Sequence, residues 1–242
     1  MKKQSDNFNP LNSLRFFVTT AHNCGYFDDR QAVTLVLDPD TNMRPDIYSN
    51  LSKVGFRRSG GHIYRPHCGT CHACTPIRVP ANQFVRNRGQ QRIWNKNKDI
   101  EVKARTAEYD IDHYRLYRKY VQHRHTGGGM DEDNPDAYKQ FISNDWSATC
   151  LYEFWRENQL LAVAVTDILD DGLSAVYTFF DPSLPKLGLG NYAILWQIEE
   201  VQRLKLDYLY LGYWIADSPK MSYKSNYKPY EFFNGQDWQI YE

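Results

Sequence analysis

The spacing of hydrophobic positions in the first third of the chain predicts short strands around one short helix. Residues 33–37 (VTLVL) are typical of a buried strand, and residues 45–54 predict a helix that has proline at its first position and ends at Gly55. The run GFRRSGGHIYRP is typical of a hairpin with its turn at residues 59–61. A further short strand is predicted at residues 75–80 (TPIRVP), directly after a cysteine-rich loop.

Two amphipathic helices are predicted in the middle of the chain. Apolar side chains recur at three- and four-residue intervals from Asp110 to His125, and Asp110 is placed to cap this helix. The glycine run TGGGM then breaks the pattern. A second helix is predicted to begin at Pro135, behind Asn134 as its capping residue.

From residue 149 the hydrophobic period changes from that of a helix to that of a strand. The runs TCLYEFW, LLAVAVTDIL and LSAVYTFF are separated by the turn signals ENQ and DDG, which predicts an antiparallel meander. A glycine-bearing turn, PKLGLGN, then opens a helix over about residues 192–204, and YLYLGYWI predicts the next strand. This order is that of the acetyltransferase-type α/β fold, so we expect a mixed sheet with helices of the GNAT or Fem type.

The change of pattern near residues 105–110 is the best candidate for a domain boundary. We expect a smaller N-terminal region over residues 1–105, which contains the cysteine loop and a basic segment. An acetyltransferase-like catalytic region is then expected over residues 106–242.

The composition is that of a folded protein. The 242 residues are 42% hydrophobic and 15% aromatic, which is enough for a substantial core and excludes the disordered and fibrous classes. No apolar run approaches the roughly 18 residues that span a bilayer, and the N-terminus lacks the apolar core and cleavage site of a signal peptide. We therefore expect a cytoplasmic protein without a membrane partner, large enough to act as a monomer.

The net charge of zero hides a strong asymmetry between the two halves of the chain. Residues 1–125 hold 21 Lys and Arg against 11 Asp and Glu, whereas residues 126–242 hold 8 against 18. Between Arg78 and Arg105, eight cations accompany two acids, with amide side chains and Trp94 interleaved. Guanidinium and amide donors suit phosphate oxygens, and an aromatic ring can stack on an unpaired base. This favours a nucleic-acid surface, and a solvated basic face is the alternative.

Three cysteines stand in the pattern C-x2-C-x2-C, where three thiolates could surround one metal. The candidate ligands are Cys68, Cys71, Cys74 and, as the fourth, Cys24, His67 or His72. Zinc and an iron–sulfur cluster both suit such thiolates, and the alternative is a structural loop without metal. A disulfide framework is not expected at this cysteine count in a reducing compartment.

Candidate chemistry also lies in the C-terminal half. The turn PKLGLGN is similar to the pyrophosphate-binding loop of acetyltransferases at Gly188 and Gly190, but Pro185 occupies the position of Gln or Arg, which weakens a coenzyme A interpretation. His125, beside Arg124 at a helix end, is a candidate base or ligand, or a histidine that complements the helix dipole. The loop after the last strong strand holds two lysines that could bind a carboxylate or phosphates.

The sequence resembles the bacterial aspartate/glutamate leucyltransferases, which are relatives of the arginyl-tRNA–protein transferases. The resemblance covers nearly the whole chain. It rests on CGYFDDRQAVTLVLDP, GFRRSGGHIYRPHCGTCHACTPIRVP, YRKYVQHRHTGGGMD, AVAVTDILDDGLSAVYTFFDP, LGLGNYAILWQIE and YLYLGYWIADSPKMSYKSNYKPYE. It implies an acetyltransferase-like fold without coenzyme A that transfers an aminoacyl group, leucine in particular, from tRNA to proteins beginning with Asp or Glu. The product would be marked for degradation, and no cofactor would be required.

The chemistry of this reaction leads to hypotheses about the roles of individual residues. The residues expected to bind the acidic substrate are Arg78, Arg124, Lys220 and Lys224. Those expected to relay the amine proton or stabilise the oxyanion are His125, Tyr213 and Tyr223. The tRNA acceptor arm is expected on Arg86, Arg88, Arg92, Lys96 and Lys98. Eukaryotic relatives carry C-G-Y-C where this chain reads Cys24-Gly25-Tyr26-Phe27, so a cluster here would draw on Cys24, Cys68, Cys71 and Cys74.

Three alternatives stay open at the level of sequence. Arginine in place of leucine as the transferred residue cannot be distinguished from these motifs. A coenzyme A-dependent N-acetyltransferase would share the fold, and a nucleic-acid-binding module without catalysis would share the basic segment.

Overall fold

The computed structural model describes residues 14–124 and 134–242. In these ranges the helices are α1 (Pro45–Lys53), α2 (Arg88–Lys96), α3 (Ile111–Arg124), α4 (Pro135–Ile142) and α5 (Leu189–Arg203). The strands are β1 (Phe16–Val18), β2 (His22–Asn23), β3 (Gln31–Ala32), β4 (Thr34–Leu37), β5 (Arg57–Ser59), β6 (His62–Pro66), β7 (Thr75–Pro80), β8 (Glu101–Thr106), β9 (Ala148–Arg156), β10 (Gln159–Ile168), β11 (Gly172–Phe180), β12 (Tyr208–Trp214), β13 (Tyr230–Phe233) and β14 (Trp238–Tyr241). Within the described ranges, none of the helices has the length and apolar character needed to cross a membrane.

One large sheet organises the molecule. Its strand order is β14-β13-β7-β12-β11-β10-β9-β8, and its neighbours pair antiparallel except β11 and β12, which are parallel. A parallel pair needs a crossover connection, and α5 supplies it. The predicted mixed α/β architecture is therefore confirmed.

Strand β10 shows why both faces of this sheet are covered. Ala162 and Ala164 belong to the hydrophobic cluster under α5, whereas Val163 and Val165 belong to the cluster under α3 and α4. Alternate side chains of a strand point to opposite faces, so a run such as LLAVAV is apolar at every position. The predicted meander of β9, β10 and β11 is confirmed by this register.

The predicted helices are also found, with one shift. Asp110 caps α3 as expected, because its Oδ1 accepts the backbone N–H of Asp112 at 2.7 Å. Helix α5 begins at Leu189, earlier than predicted. The chain turns at Gly188, whose φ of +63° suits glycine, and Gly190 already lies within the helix.

Helix α2 lies in the basic segment, where no helix was predicted. Its sequence, RGQQRIWNK, has two apolar side chains, so the hydrophobic pattern is too weak to detect. A capping box starts the helix: the Asn87 side chain accepts the Gln90 N–H at 2.9 Å, and the Gln90 side chain accepts the Asn87 N–H at 2.9 Å.

A smaller sheet, in the order β1-β4-β6-β5, packs with α1 in the N-terminal part. Arg58 of β5 joins it to the large sheet through an ion pair with Asp167 at 2.6 Å, and neither side chain is exposed. Strand β7 lies between β12 and β13, and β8 contains the predicted boundary between residues 105 and 106. The division into residues 1–105 and 106–242 stays a prediction.

We expect Arg58→Met to lower the free energy of unfolding by about 3–5 kcal/mol, because it leaves the Asp167 carboxylate buried without its counter-ion. Urea denaturation at pH 7 measures this loss. The matched control is Arg115→Met, which removes an exposed pair with Asp112 on α3 and should have little effect. Equal losses in the two variants would contradict the importance of the buried pair.

Candidate functional site

The two parallel strands of the large sheet separate soon after they begin to pair. Residues 172–174 of β11 pair with residues 208–210 of β12. Strand β11 nevertheless continues to Phe180 and β12 to Trp214. From this separation we infer a cleft between the carboxyl ends of these strands, which is where open α/β sheets commonly bind ligands.

Arg57 of β5 lies where β11 and β12 separate. Its Nη1 donates to Ser174 Oγ at 2.8 Å, and its Nη2 donates to the carbonyl oxygen of Ala175 at 2.8 Å. On β12, Gly212 has a φ of +78°, and a Cβ at this position would lie 3.2 Å from Arg57 Nε. Glycine at this position therefore lets the guanidinium group lie against both strands. Sequence analysis did not identify Arg57, and the available signal was two consecutive arginines in a hairpin with a buried face.

Lys224 lies at the same end of the cleft. It belongs to a short 3-10 turn, Ser222–Asn226, and its Nζ donates to the carbonyl oxygen of Tyr213 at 2.6 Å. Only 8% of Lys224 is exposed. Burial, followed by the charge of nearby Arg57, lowers the pKa of Lys224 from 10.5 to about 7. Two buried basic groups thus lie close together at the base of the cleft.

Two tyrosines come from the elements that border the cleft, Tyr177 from β11 and Tyr223 from the 3-10 turn after β12. The Tyr177 ring of β11 lies 6.1 Å from the Tyr120 ring of α3, and in the described part of the chain its buried hydroxyl has no hydrogen-bond partner. Burial raises the pKa of Tyr177, so this hydroxyl stays protonated at neutral pH and can donate. Tyr223 is 36% exposed and lies within electrostatic range of Tyr120 and Arg124. The predicted His125 follows Arg124 and lies outside the described residues.

Tyr213, a predicted catalytic residue, is engaged in the protein interior. Its hydroxyl lies 2.9 Å from the carbonyl oxygen of Gly55 and 3.2 Å from that of Tyr64. Burial raises its pKa. The side chain connects β12 to the N-terminal sheet, and its catalytic role stays a prediction.

A cavity of about 680 Å³ adjoins this region, and Tyr64 and Tyr213 are among its lining residues. The cysteines in its lining are Cys24, Cys68, Cys71 and Cys74, all half-buried free thiols. The backbone N–H of Ala73 and the Arg30 guanidinium lower the pKa of Cys71, whereas burial raises that of Cys74 to about 11. Across residues 14–124 and 134–242, no group of three His, Cys, Asp or Glu side chains is arranged to hold a metal ion.

The residues predicted to bind the acidic substrate are dispersed. Arg78 of β7 donates to Glu231 at 2.7 Å and to the Tyr210 hydroxyl at 3.0 Å, so its guanidinium already has a counter-ion. Lys220 and Arg124 are exposed, the latter at the end of α3. Lys224 alone of the four lies buried beside Arg57.

The predicted tRNA-binding cations are arranged on and beside α2. Arg88, Arg92 and Lys96 recur every four residues on its exposed face, and Lys98 follows the helix, also exposed. Arg86 is placed differently, because its guanidinium pairs with Glu199 and lies 3.8 Å from the centroid of the Trp94 ring. Their role in binding tRNA stays a prediction.

Helix α2 also covers the glycine turn at the start of α5. Lys96 Nζ donates to the carbonyl oxygen of Lys186 at 2.9 Å, and the side-chain amide of Asn97 donates to that of Leu187 at 2.9 Å. The Ile93 side chain lies against Gly188. An apolar group thus lies at the turn that resembled a pyrophosphate-binding loop.

Comparison with known proteins places these features in a family. Sequence models described as the N terminus and the C terminus of arginine-tRNA-protein transferase match residues 22–92 and 112–234, respectively. An aspartate/glutamate leucyltransferase of Alcanivorax borkumensis is 49% identical over 95% of each chain. That of Saccharophagus degradans is 50% identical over 94% of this chain and 97% of its own. Among solved structures, L-PGS of Bacillus licheniformis matches with a TM-score of 0.46 and 9% identity, covering 59% of this chain and 47% of that one.

We expect Lys224→Met to change how stability depends on pH. The folded protein holds the pKa of Lys224 at about 7, so between pH 7 and 10 the unfolded chain binds more protons, and the wild type gains stability as the pH rises. The buried charge is unfavourable at pH 6. The variant should therefore be stabilised relative to the wild type at pH 6, and this advantage should shrink by pH 9.5.

The Tm values of both proteins across this pH range measure the effect. Lys220→Met, at an exposed lysine of the same loop, is the matched control and should follow the wild type. A constant difference between Lys224→Met and the wild type would contradict the expected titration.

Proposed function

The chain belongs to the arginine-tRNA-protein transferase family, and we propose that it transfers leucine from leucyl-tRNA to the α-amino group of proteins whose first residue is Asp or Glu. Relatives named for leucyl transfer are 46–50% identical over 94–95% of the chain. The product begins with leucine and is marked for degradation. The structural observation that carries this function is the cleft between β11 and β12, with buried basic groups at its base.

The reaction is an acyl transfer between two bound substrates. The α-amine nitrogen attacks the ester carbonyl carbon of leucyl-tRNA, a C–N bond forms, and the C–O bond to the ribose breaks. The proton lost by the amine ends on the released ribose hydroxyl. The α-amine has an ordinary pKa of about 7.7–8.0, so it needs little help to lose a proton, and orientation of the two substrates is the main requirement.

Cleft residues supply the remaining chemistry. The hydroxyls of Tyr177 and Tyr223 donate to the oxyanion that develops on the ester carbonyl, and Tyr177 is suited to this because its donor is otherwise unpartnered in the described chain. His125, which follows Arg124 in the sequence and lies outside the described residues, relays the amine proton. Arg124 and Lys220, both exposed, attract the acidic acceptor to the mouth of the cleft.

We propose that the large sheet has the acetyltransferase-like arrangement of the GNAT and Fem proteins. Three antiparallel strands, β9 to β11, precede a glycine turn, the crossover helix α5 and the parallel strand β12. Coenzyme A is disfavoured as the donor because Ile93 lies against Gly188 and Pro185 precedes the turn. We therefore place an aminoacyl ester, and not an acyl-coenzyme A, in the cleft as the acyl donor.

The tRNA binds along the exposed face of α2. Three cations at four-residue spacing present a stripe of positive charge that follows a phosphate backbone, and Lys98 extends it. The stripe ends at the glycine turn that opens α5, close to the sheet that forms the cleft. This arrangement brings the aminoacylated end of the tRNA towards the reaction site.

A metal or iron–sulfur cluster at the cysteine cavity is proposed as a structural group outside the reaction. The support is that Cys24, Cys68, Cys71 and Cys74 line one cavity, although their present arrangement is not that of a closed metal site. Analysis of iron and zinc in protein purified without oxygen tests it, with Cys71→Ser as the variant and Cys150→Ser as its control.

We place the protein in the cytoplasm, where charged tRNA is present.

Transfer assays test the proposed function directly. We expect labelled leucine to move from charged tRNA to a peptide beginning with Asp, and we expect no transfer of labelled arginine under the same conditions. A peptide with the same sequence but an acetylated N-terminus is the matched control, because it lacks the attacking amine. Transfer of arginine alone would assign the chain to the arginyl branch, and acetylation supported by acetyl-coenzyme A without either transfer would contradict the proposal.

A further inference from the structure

Two consecutive arginines of β5 are buried in different ways. Arg58 forms an ion pair with Asp167, and both side chains are fully buried. Arg57, which is 8% exposed, donates to uncharged acceptors, the Ser174 hydroxyl and the Ala175 carbonyl. No carboxylate of residues 14–124 or 134–242 lies within ion-pair distance of Arg57.

A second buried basic side chain, Lys224, lies near Arg57. Lys224 is equally buried, and its hydrogen bond also goes to an uncharged acceptor, the Tyr213 carbonyl. The charge of Arg57 acts on Lys224, and also on Tyr64 and Tyr213 in the wall of the adjacent cavity. Burying a cation without a counter-ion is unfavourable. The base of the cleft is therefore a site that an incoming anion would stabilise.

We propose that Arg57 is the specificity-determining residue for acidic N-termini, and that its guanidinium binds the side-chain carboxylate of the acceptor's first residue. Lys224 lies beside it and strengthens the positive field. This assignment rests on the proposed function, which supplies the acidic acceptor.

The position of Arg57 suits this role. Arg57 bonds to Ala175 where β11 and β12 separate, and Tyr177 follows two residues further along β11. An acceptor that enters between the strands would place its first side chain at Arg57 and its α-amine nearer to Tyr177. A planar guanidinium can bind the carboxylate of either Asp or Glu. Asn and Gln have nearly the same shapes but are uncharged, and they would leave the cation without a counter-ion.

Other cations near the site are less suitable. Arg78 is already paired with Glu231. Lys220 is exposed, and solvent and salt screen its charge. Discrimination between a carboxylate and an amide of the same shape needs a desolvated cation, which the base of the cleft provides.

The test uses four peptides that differ only in the first residue, which is Asp, Asn, Glu or Gln. The kcat/KM for leucine transfer is measured with the wild type, Arg57→Met and Arg57→Lys. Arg57→Met should reduce the Asp-to-Asn and Glu-to-Gln ratios by about 100-fold or more. Arg57→Lys should reduce them less, because it keeps the charge and loses the planar guanidinium.

Each ratio is measured on one protein preparation, so it does not depend on the fraction that is folded. The matched control is Arg115→Met, at an exposed arginine of α3 that pairs with Asp112, which should leave the ratios unchanged. An equal loss with all four peptides in Arg57→Met would overturn the proposal and assign Arg57 a purely structural role.

The affinity of the protein for the same peptides is also measured by calorimetry without tRNA. This measurement tests the role of Arg57 independently of leucine transfer. Preference of the wild type for Asp over Asn, lost in Arg57→Met, would support the inference even if no leucine were transferred. A wild-type preference retained in Arg57→Met would overturn it, whatever the transfer activity.

Discussion

The position of one hairpin, β5 and β6, relative to the large sheet determines which side chains lie where β11 and β12 separate. Its anchor is the ion pair between Arg58 and Asp167, and Asp167 also accepts hydrogen bonds from the hydroxyls of Tyr48 and Thr149. Such a buried, fully bonded carboxylate tolerates little displacement of its partners. Because Arg57 is the next residue in the chain, the same anchor places its guanidinium between β11 and β12.

The cleft follows from the topology of the sheet. A parallel pair in a largely antiparallel sheet needs α5 as a crossover, and β11 and β12 then pair only briefly before they separate. Arg57 occupies the point of separation and satisfies the carbonyl of Ala175, which lies just beyond the paired residues of β11. The charge that we propose selects the acceptor therefore lies at the point where the two strands separate.

Local patterns in the sequence were sufficient to predict much of this fold. The meander of β9 to β11, the hairpin of β5 and β6, and the helices α1, α3 and α4 were predicted because periodicity, caps and turn residues are encoded within each segment. Helix α2 was missed because its stability comes from a capping box and contacts with α5. The role of Arg57 could not be predicted, because it depends on Ser174, which is 117 residues away in the sequence. The ion pair of Arg78 could not be predicted for the same reason, because its partner Glu231 lies on a strand that is distant in the sequence.

The most direct test of this account is to locate the bound acceptor. A peptide beginning with Asp and carrying a benzophenone side chain at its second residue is photo-crosslinked to the protein, and the attachment sites are mapped by mass spectrometry. If the acceptor binds between β11 and β12, attachment should fall within residues 175–180, 211–214 and 222–226. An unlabelled Asp peptide should reduce it by competition, and an Asn peptide should not. Attachment confined to residues 24–34 and 67–74, in the cysteine cavity, would contradict it.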